Sequence, residues 1–393
     1  MSVLNNIRVL DFGRYVAGPY CATLLAEFGA EVIRIEKIGG SEDRFLLPAL
    51  ETGEGALFLQ MSRNKKSMTL DPMKDEGREV VKRLVATADV VVANLPPSTL
   101  KAMGLDFASI SAANPRTILT LATGFGQSGP MAGHLAFDSI GQAMSGGVYL
   151  SGHEGQPSRT QILWCDFGTA LHCAYGTAMA LIARETTGRG QVVDSSLFAT
   201  AAMLGSAFAM EAELTGRDRV GVGNRSFAAA PADIFATKDG WIICQVVGKP
   251  LFERWAALME EPGWLDDERC RSDDSRALNG GIISDRMQLW CQSRTSSDAL
   301  TELAAARIPA GPVLRPGELV RHPQAEATGL FEWIDYGTPP RTVPLARAPV
   351  FLSETPGGIR EKPAMLGEHT DAILRSLGYA AEEIDVFRSQ RVI

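Results

Sequence analysis

Apolar and polar positions in the first two hundred residues alternate between short strand-like runs and helical faces, which predicts a mostly parallel sheet covered by helices. Ile7 to Asp11 reads as a strand leading to Gly18-Pro19, where proline suits a first helical turn. The helix beyond carries Leu24, Leu25 and Phe28 and stops near Gly29, and Glu31 to Glu36 completes a βαβ unit. Val80, Val81, Leu84 and Val85 give a second helix one apolar face. Val90 to Ala93 and Thr117 to Thr123 are further strands, with Pro96-Pro97 and Asn114-Pro115 as loops.

The texture changes near Leu197, where a long Ala-rich helix begins, and glycines and charges from Gly216 to Gly223 suggest a linker. Beyond it, Ala232 to Ala236 and Trp241 to Val247 read as antiparallel strands joined at Lys238-Asp239-Gly240. Helices follow around Phe252 to Met259 and Leu300 to Ala306, so residues 224 to about 318 are expected to form a small α+β domain. The remaining tail is Pro-rich and extended before a last helix near Asp371 to Leu377.

Composition narrows the classes of function. A chain of 393 residues is expected to fold as two domains, and a net charge of −8 argues against a general nucleic-acid surface. The six cysteines are scattered with no CxxC pair, so reduced, buried thiols and no metal site are expected. No signal peptide is read at the start, and Ala170 to Ile182 and Leu197 to Met210 fall short of the ~20 residues that span a bilayer. A cytoplasmic protein without membrane or nucleic-acid partners is expected.

Candidate chemistry centres on Asp166, between the strand-like Gln161 to Cys165 and a long apolar helical run from Thr169 to Arg184. A carboxylate there either caps the helix or stands bare as a nucleophile. With an ordinary pKa of about 3.9 it would be anionic at neutral pH and need no base beside it. Glu36 ends the first βαβ unit where a dinucleotide fold places its ribose-binding acid, which keeps an NAD-linked dehydrogenase as a rival. The turn Gly13-Arg14-Tyr15-Val16-Ala17-Gly18 lacks the glycine spacing that fold requires. Asp166-Phe167-Gly168 has no kinase context, Gly126-Gln127-Ser128-Gly129 misses the nucleophile-elbow spacing, and no Walker A loop supplies ATP chemistry.

Along nearly its whole length the chain resembles the class III CoA-transferases, the CaiB/BaiF family that includes formyl-CoA transferases. The matching pieces are Val9 to Pro19, Phe28 to Glu36, Asn64 to Asp71, Ala88 to Pro97, Gly124 to Pro130, Thr187 to Leu197, Ile308 to Val313 and Leu366 to Asp371. The resemblance implies an α/β fold: a large Rossmann-like domain with a parallel sheet, a smaller α+β domain, and an interlocked homodimer. On that basis residues 1–200 are the N-terminal part of the large domain and 201–223 a linker. Residues 224–318 are the small domain, and 319–393 the linker and return to the large one.

It also implies CoA transfer from an acyl-CoA donor to a free carboxylic acid, with coenzyme A as co-substrate and no permanently bound cofactor. Asp166 is then the nucleophile, forming first an acyl-aspartyl anhydride and then an aspartyl-CoA thioester. The positions matching the family's CoA contacts are Val16, Ala17, Lys37, Leu70, Asp71, Pro72, Met73, Asn94, Leu95 and Pro96. Lys101 stands beside Ala102, which aligns with a family arginine, and Asp138 either contacts CoA or substrate or caps the helix that begins there. The family's oxalate-pathway members close a glycine run over the intermediate, and here only Gly221 and Gly223 precede Asn224.

Racemases of the same fold use a histidine before the position of Asp138, and this chain has Phe137; His134 is offset and reads as a loop residue. Arg14, after the first strand, either recognises a second carboxylate on a short dicarboxylic acid or pairs with Asp11 or another acid. A CoA-binding protein without catalysis is the remaining alternative.

Overall fold

A computed structural model describes residues 2–337 and 339–393. Six parallel strands form the central sheet: β1 (Arg8–Asp11), β2 (Glu31–Glu36), β3 (Lys65–Thr69), β4 (Val90–Ala93), β5 (Ile118–Thr123) and β6 (Val192–Ser196). Their order is β3-β2-β1-β4-β5-β6, so the winding direction reverses between β1 and β4. Val90–Ala93 is buried throughout, which suits an all-apolar strand covered on both faces.

β3 was not among the expected strands, and it opens on two charged residues, Lys65 and Lys66. Lys65 is nonetheless buried: its Nζ lies 2.7 Å from Asp11 Oδ2 and 2.7 Å from the carbonyl oxygen of Pro19. A buried cation with both a carboxylate and a carbonyl is satisfied. Asp11 Oδ1 in turn accepts from the amide of Gly13 at 2.9 Å, which fixes the turn leaving β1. A Cβ at Gly13 would sit 2.6 Å from Pro19 Cδ, so glycine is required there.

The helix Ala17–Glu27 is buried on every side and packs against the long helix Trp164–Thr187, with Tyr20 edge-on to Phe167 at 4.9 Å. Glu27 at its end bonds Arg63 Nε at 2.6 Å and accepts from the amide of Ala348 at 2.8 Å. The long helix starts at Trp164, and Gln161 to Cys165 is not a strand. The tail is less extended than expected. Phe331–Tyr336 and Arg341–Ala346 pair antiparallel, and a further helix, Ala381–Ser389, follows Thr370–Ser376.

The described chain divides into two compact units. The first holds the sheet and comprises residues up to 145, 161–207 and 323–393; the second comprises 146–160 and 208–322. The stretch 201–223 is helical as far as Thr215. In the second unit, Ala232–Ala236, Trp241–Gln245 and Ala310–Pro312 form a three-stranded antiparallel sheet over a core that includes Phe252, Trp255 and Trp290. All six cysteines are free and buried, Cys21, Cys165 and Cys173 in the first unit and Cys244, Cys270 and Cys291 in the second. No single described helix is long and apolar enough to cross a membrane, and no group of three or more described His, Cys, Asp or Glu residues could hold a metal ion.

Candidate functional site

Asp166 is the third residue of the long helix and does not cap it; the N-cap position is Leu163, which has no capping side chain. The cap comes from elsewhere in the chain. Asp138, in the first turn of the helix Asp138–Met144, is 2 % exposed. Its Oδ1 accepts from the amides of Cys165 at 2.8 Å and Asp166 at 3.1 Å. Its Oδ2 accepts from Gln142 Nε2. Two otherwise orphaned helix-start donors are thereby satisfied. The carboxyl of Asp166 is left with no hydrogen-bond or ion-pair partner among the described residues.

That carboxyl is half-buried, and burial, followed by the charge of Asp138, pushes its pKa up to about 7. The expectation of an ordinary, fully ionised aspartate is therefore corrected. Loss of hydration raises a carboxyl more than a helix start lowers it when a second carboxylate sits at the same helix start. A desolvated, unpaired carboxylate is more nucleophilic than a solvated one, so the arrangement suits attack on an acyl carbon.

A separate cavity of about 450 Å³ opens at the carboxyl ends of β1 to β4, beside the point where the strand order reverses, the usual ligand crevice of a parallel sheet. Of the expected contacts it gathers Lys37, Leu70, Asp71, Pro72, Met73 and Leu95, together with Arg14. Val16 and Ala17 are buried in a different apolar cluster and do not line it. Asn94 acts through its neighbour, accepting from the Arg14 amide at 2.8 Å and donating to the Arg14 carbonyl at 2.7 Å. Pro96 stands at the start of the helix Pro97–Ala102, where Lys101 is exposed and does not line the cavity. Asp138 and Asp166 do not line it either.

Arg14 does not pair with Asp11, which is taken by Lys65. Its Nη1 donates to the carbonyls of Phe12, Gly13 and Ile35 at 3.2, 2.8 and 3.2 Å. Carbonyls orient a guanidinium without neutralising it, so Arg14 brings positive charge to the cavity wall. Lys37 is exposed and pairs with Glu42. Sequence reasoning missed Lys74, Thr99, Met103 and Arg391, which also line the cavity. Lys74 directly follows an expected run, whereas nothing in the local sequence marks Arg391.

The NAD reading fails on Glu36. It is fully buried and bonded by Arg44 Nε at 3.1 Å, Arg44 Nη2 at 2.7 Å and Ser67 Oγ at 2.8 Å, so no ribose reaches it. The residue before Asp138 is an exposed Phe137, and His134 lies in a loop edge-on to Phe125. Gly221 and Gly223 flank Val222, which bridges to His153 within the second unit.

The family model described as CoA-transferase family III matches residues 4–370. The chain is 35 % identical to the β subunit of succinyl-CoA:L-malate CoA-transferase from Chloroflexus aurantiacus, covering 99 % of this chain and 98 % of that protein. It is 32 % identical to succinate:glutarate CoA-transferase from Agrobacterium fabrum, covering 95 % of each. Among solved structures, a CaiB/BaiF family protein from Brucella suis superposes with a TM-score of 0.84 at 31 % identity, covering 96 % of this chain and 99 % of that one.

Proposed function

The chain belongs to CoA-transferase family III, the CaiB/BaiF family, and from that premise we propose that Asp166 carries CoA from an acyl-CoA donor to a free carboxylic acid. An Asp166 oxygen attacks the donor thioester carbonyl, the C–S bond breaks, and CoA leaves as thiolate from an acyl-aspartyl anhydride. The thiolate attacks the Asp166 carbonyl, which releases the donor acid and leaves an aspartyl-CoA thioester. The acceptor carboxylate then attacks that carbonyl, expelling the thiolate and forming a new anhydride. The thiolate finally attacks the acceptor acyl carbon and frees Asp166. Each tetrahedral intermediate needs aimed donors for its oxyanion, and the thioester energy passes through every step, so no ATP is required.

The observation that carries this reading is the removal of the capping duty from Asp166 to Asp138. It leaves one carboxyl unspent at a helix start. The acceptor is a short dicarboxylic acid, a proposal supported by relatives named for malate and glutarate. CoA lies in the cavity at the ends of β1 to β4, and the strand order supports a Rossmann-like large domain. A second copy covers the exposed apolar stripe Leu171, Tyr175, Met179 and Ile182 on the long helix, in an interlocked homodimer in the cytoplasm.

The test is to incubate the protein with succinyl-CoA and labelled dicarboxylic acids, and to weigh the peptide containing Asp166. The expected result is an acyl or CoA adduct on that peptide and label in the acyl-CoA pool. Undiminished transfer by Asp166→Ala would end the proposal.

A further inference from the structure

The cavity at the ends of β1 to β4 has an uneven charge lining. Arg14, Lys37, Lys74 and Arg391 line it, against one carboxylate, Asp71. Asp71 Oδ1 is itself held by the amide of Met73 at 3.0 Å. Such a concentration of cations in a chain of net charge −8 marks a site for a polyanion.

Arg391 differs from the other three in how it reaches the wall. It comes from more than three hundred residues further along the chain than Lys74. Lys74 Nζ donates to the carbonyls of both Gln390 and Arg391, the latter at 3.0 Å. The amide of Asp71 donates to the carbonyl of Val392 at 2.8 Å. Val392 and Ile393 are buried in the core on that side of the sheet. The backbone at Arg391 is held between these ties at φ +55°, a conformation rare for a residue with a side chain. The segment is thus anchored on both sides of one exposed guanidinium, which has no carboxylate within 4 Å among the described residues.

We propose that Arg391 is a phosphate-binding residue, strapped to the cavity wall by Lys74 and Asp71, and that it meets a phosphate of the CoA nucleotide. This rests on the assignment of the cavity to CoA. A guanidinium offers a two-pronged fork to a phosphate, which an ammonium such as Lys37 cannot match.

The test measures binding of CoA, 3′-dephospho-CoA and pantetheine to the full chain by calorimetry, for the wild type, R391K, R391A and R391G. Glycine removes the side chain where φ is positive, so a binding loss shared by R391A and R391G does not come from backbone strain. Both are expected to weaken CoA binding about tenfold to a hundredfold, and R391K less. A loss that disappears with 3′-dephospho-CoA assigns Arg391 to the 3′-phosphate, and one that persists assigns it to the diphosphate. Equal CoA affinity in R391A and wild type, or an equal loss on pantetheine, overturns the inference and leaves the transferase standing. A wild type that binds CoA but transfers nothing overturns the transferase, while the arginine comparison still reads. A wild type that binds no CoA overturns both.

Discussion

Asp138 and Asp166 share one helix start: the amide of Asp166 donates to Asp138 Oδ1 at 3.1 Å, while the two carboxyl groups act on each other through space. The first contact holds the Asp166 backbone in place, and the second raises the pKa of its carboxyl. Substitution separates the two effects. Asp138→Asn keeps an oxygen for the amides and removes the charge, so the pH at which transfer reaches half its plateau should fall below that of the wild type. Asp138→Ala loses the cap as well and should cost about 2 kcal/mol of stability, measured by urea denaturation. Identical pH profiles for Asp138→Asn and wild type would remove the electrostatic part of this account.

With the Asp166 carboxyl pushed up to about 7, its carboxylate form, the one the proposed attack requires, becomes populated as pH rises through that value. The single-turnover rate of adduct formation should therefore climb about tenfold per pH unit below 6 and level off above 8. A flat profile from pH 5 to 8 would contradict the raised pKa.

The same shift has a consequence for stability. The folded-state pKa, about 7, lies above the ordinary 3.8, so between these values the folded chain binds more protons than the unfolded one. This group's contribution therefore declines as pH rises from about 3.8 to about 7 and is constant beyond. Asp166→Asn should abolish transfer by at least about a thousandfold and yet melt a few degrees higher at pH 8, by about 1 to 2 kcal/mol after screening by solvent. The gain should shrink towards pH 5; a variant less stable than wild type at pH 8 would show that the carboxyl is not a strained group.

Arg14 is cradled by three carbonyls on the cavity wall. Arg14→Lys retains charge but not the planar fork, and should raise KM for the acyl-CoA donor about tenfold while leaving KM for the acceptor acid within a factor of two. The opposite pattern, with the acid affected and the donor not, would place Arg14 at the acyl end.

Leu171, Tyr175 and Ile182 are 51, 66 and 64 % exposed and fall on one face of the long helix. Wild-type protein should elute as a dimer in size-exclusion chromatography with light scattering, and Tyr175→Lys combined with Ile182→Lys should reduce soluble yield or the dimer fraction. A monodisperse wild-type monomer at micromolar concentration would refute the proposed partner for this face.

The sheet was legible where apolar β-branched residues dominate a strand: Val90–Ala93 is wholly apolar, and Glu31–Glu36 carries Val32, Ile33 and Ile35 between its charges. It was illegible at Lys65–Thr69, because the partner that neutralises Lys65 is Asp11, on another strand. The tail hairpin was hidden by Pro344, which a two-stranded ribbon tolerates. The start of the long helix was misjudged because its cap lies 28 residues upstream, and capping rules inspect only adjacent residues. Asp166 itself was visible as a candidate of two meanings, and the position of Asp138 removes one of them, the cap. The cavity's lining was recognisable from the resemblance at Lys37 and Leu70 to Met73. Arg391 was not, since bringing it there depends on the whole large unit being folded.

The six shielded thiols, three in each unit, make the protein its own reporter of opening. An alkylating reagent reaches none of them in the native state, so each modified peptide dates the moment its surroundings first loosened. Under mild urea, the order in which Cys244, Cys270 and Cys291 are tagged relative to Cys21, Cys165 and Cys173 reveals which half of the molecule gives way first, without an engineered probe.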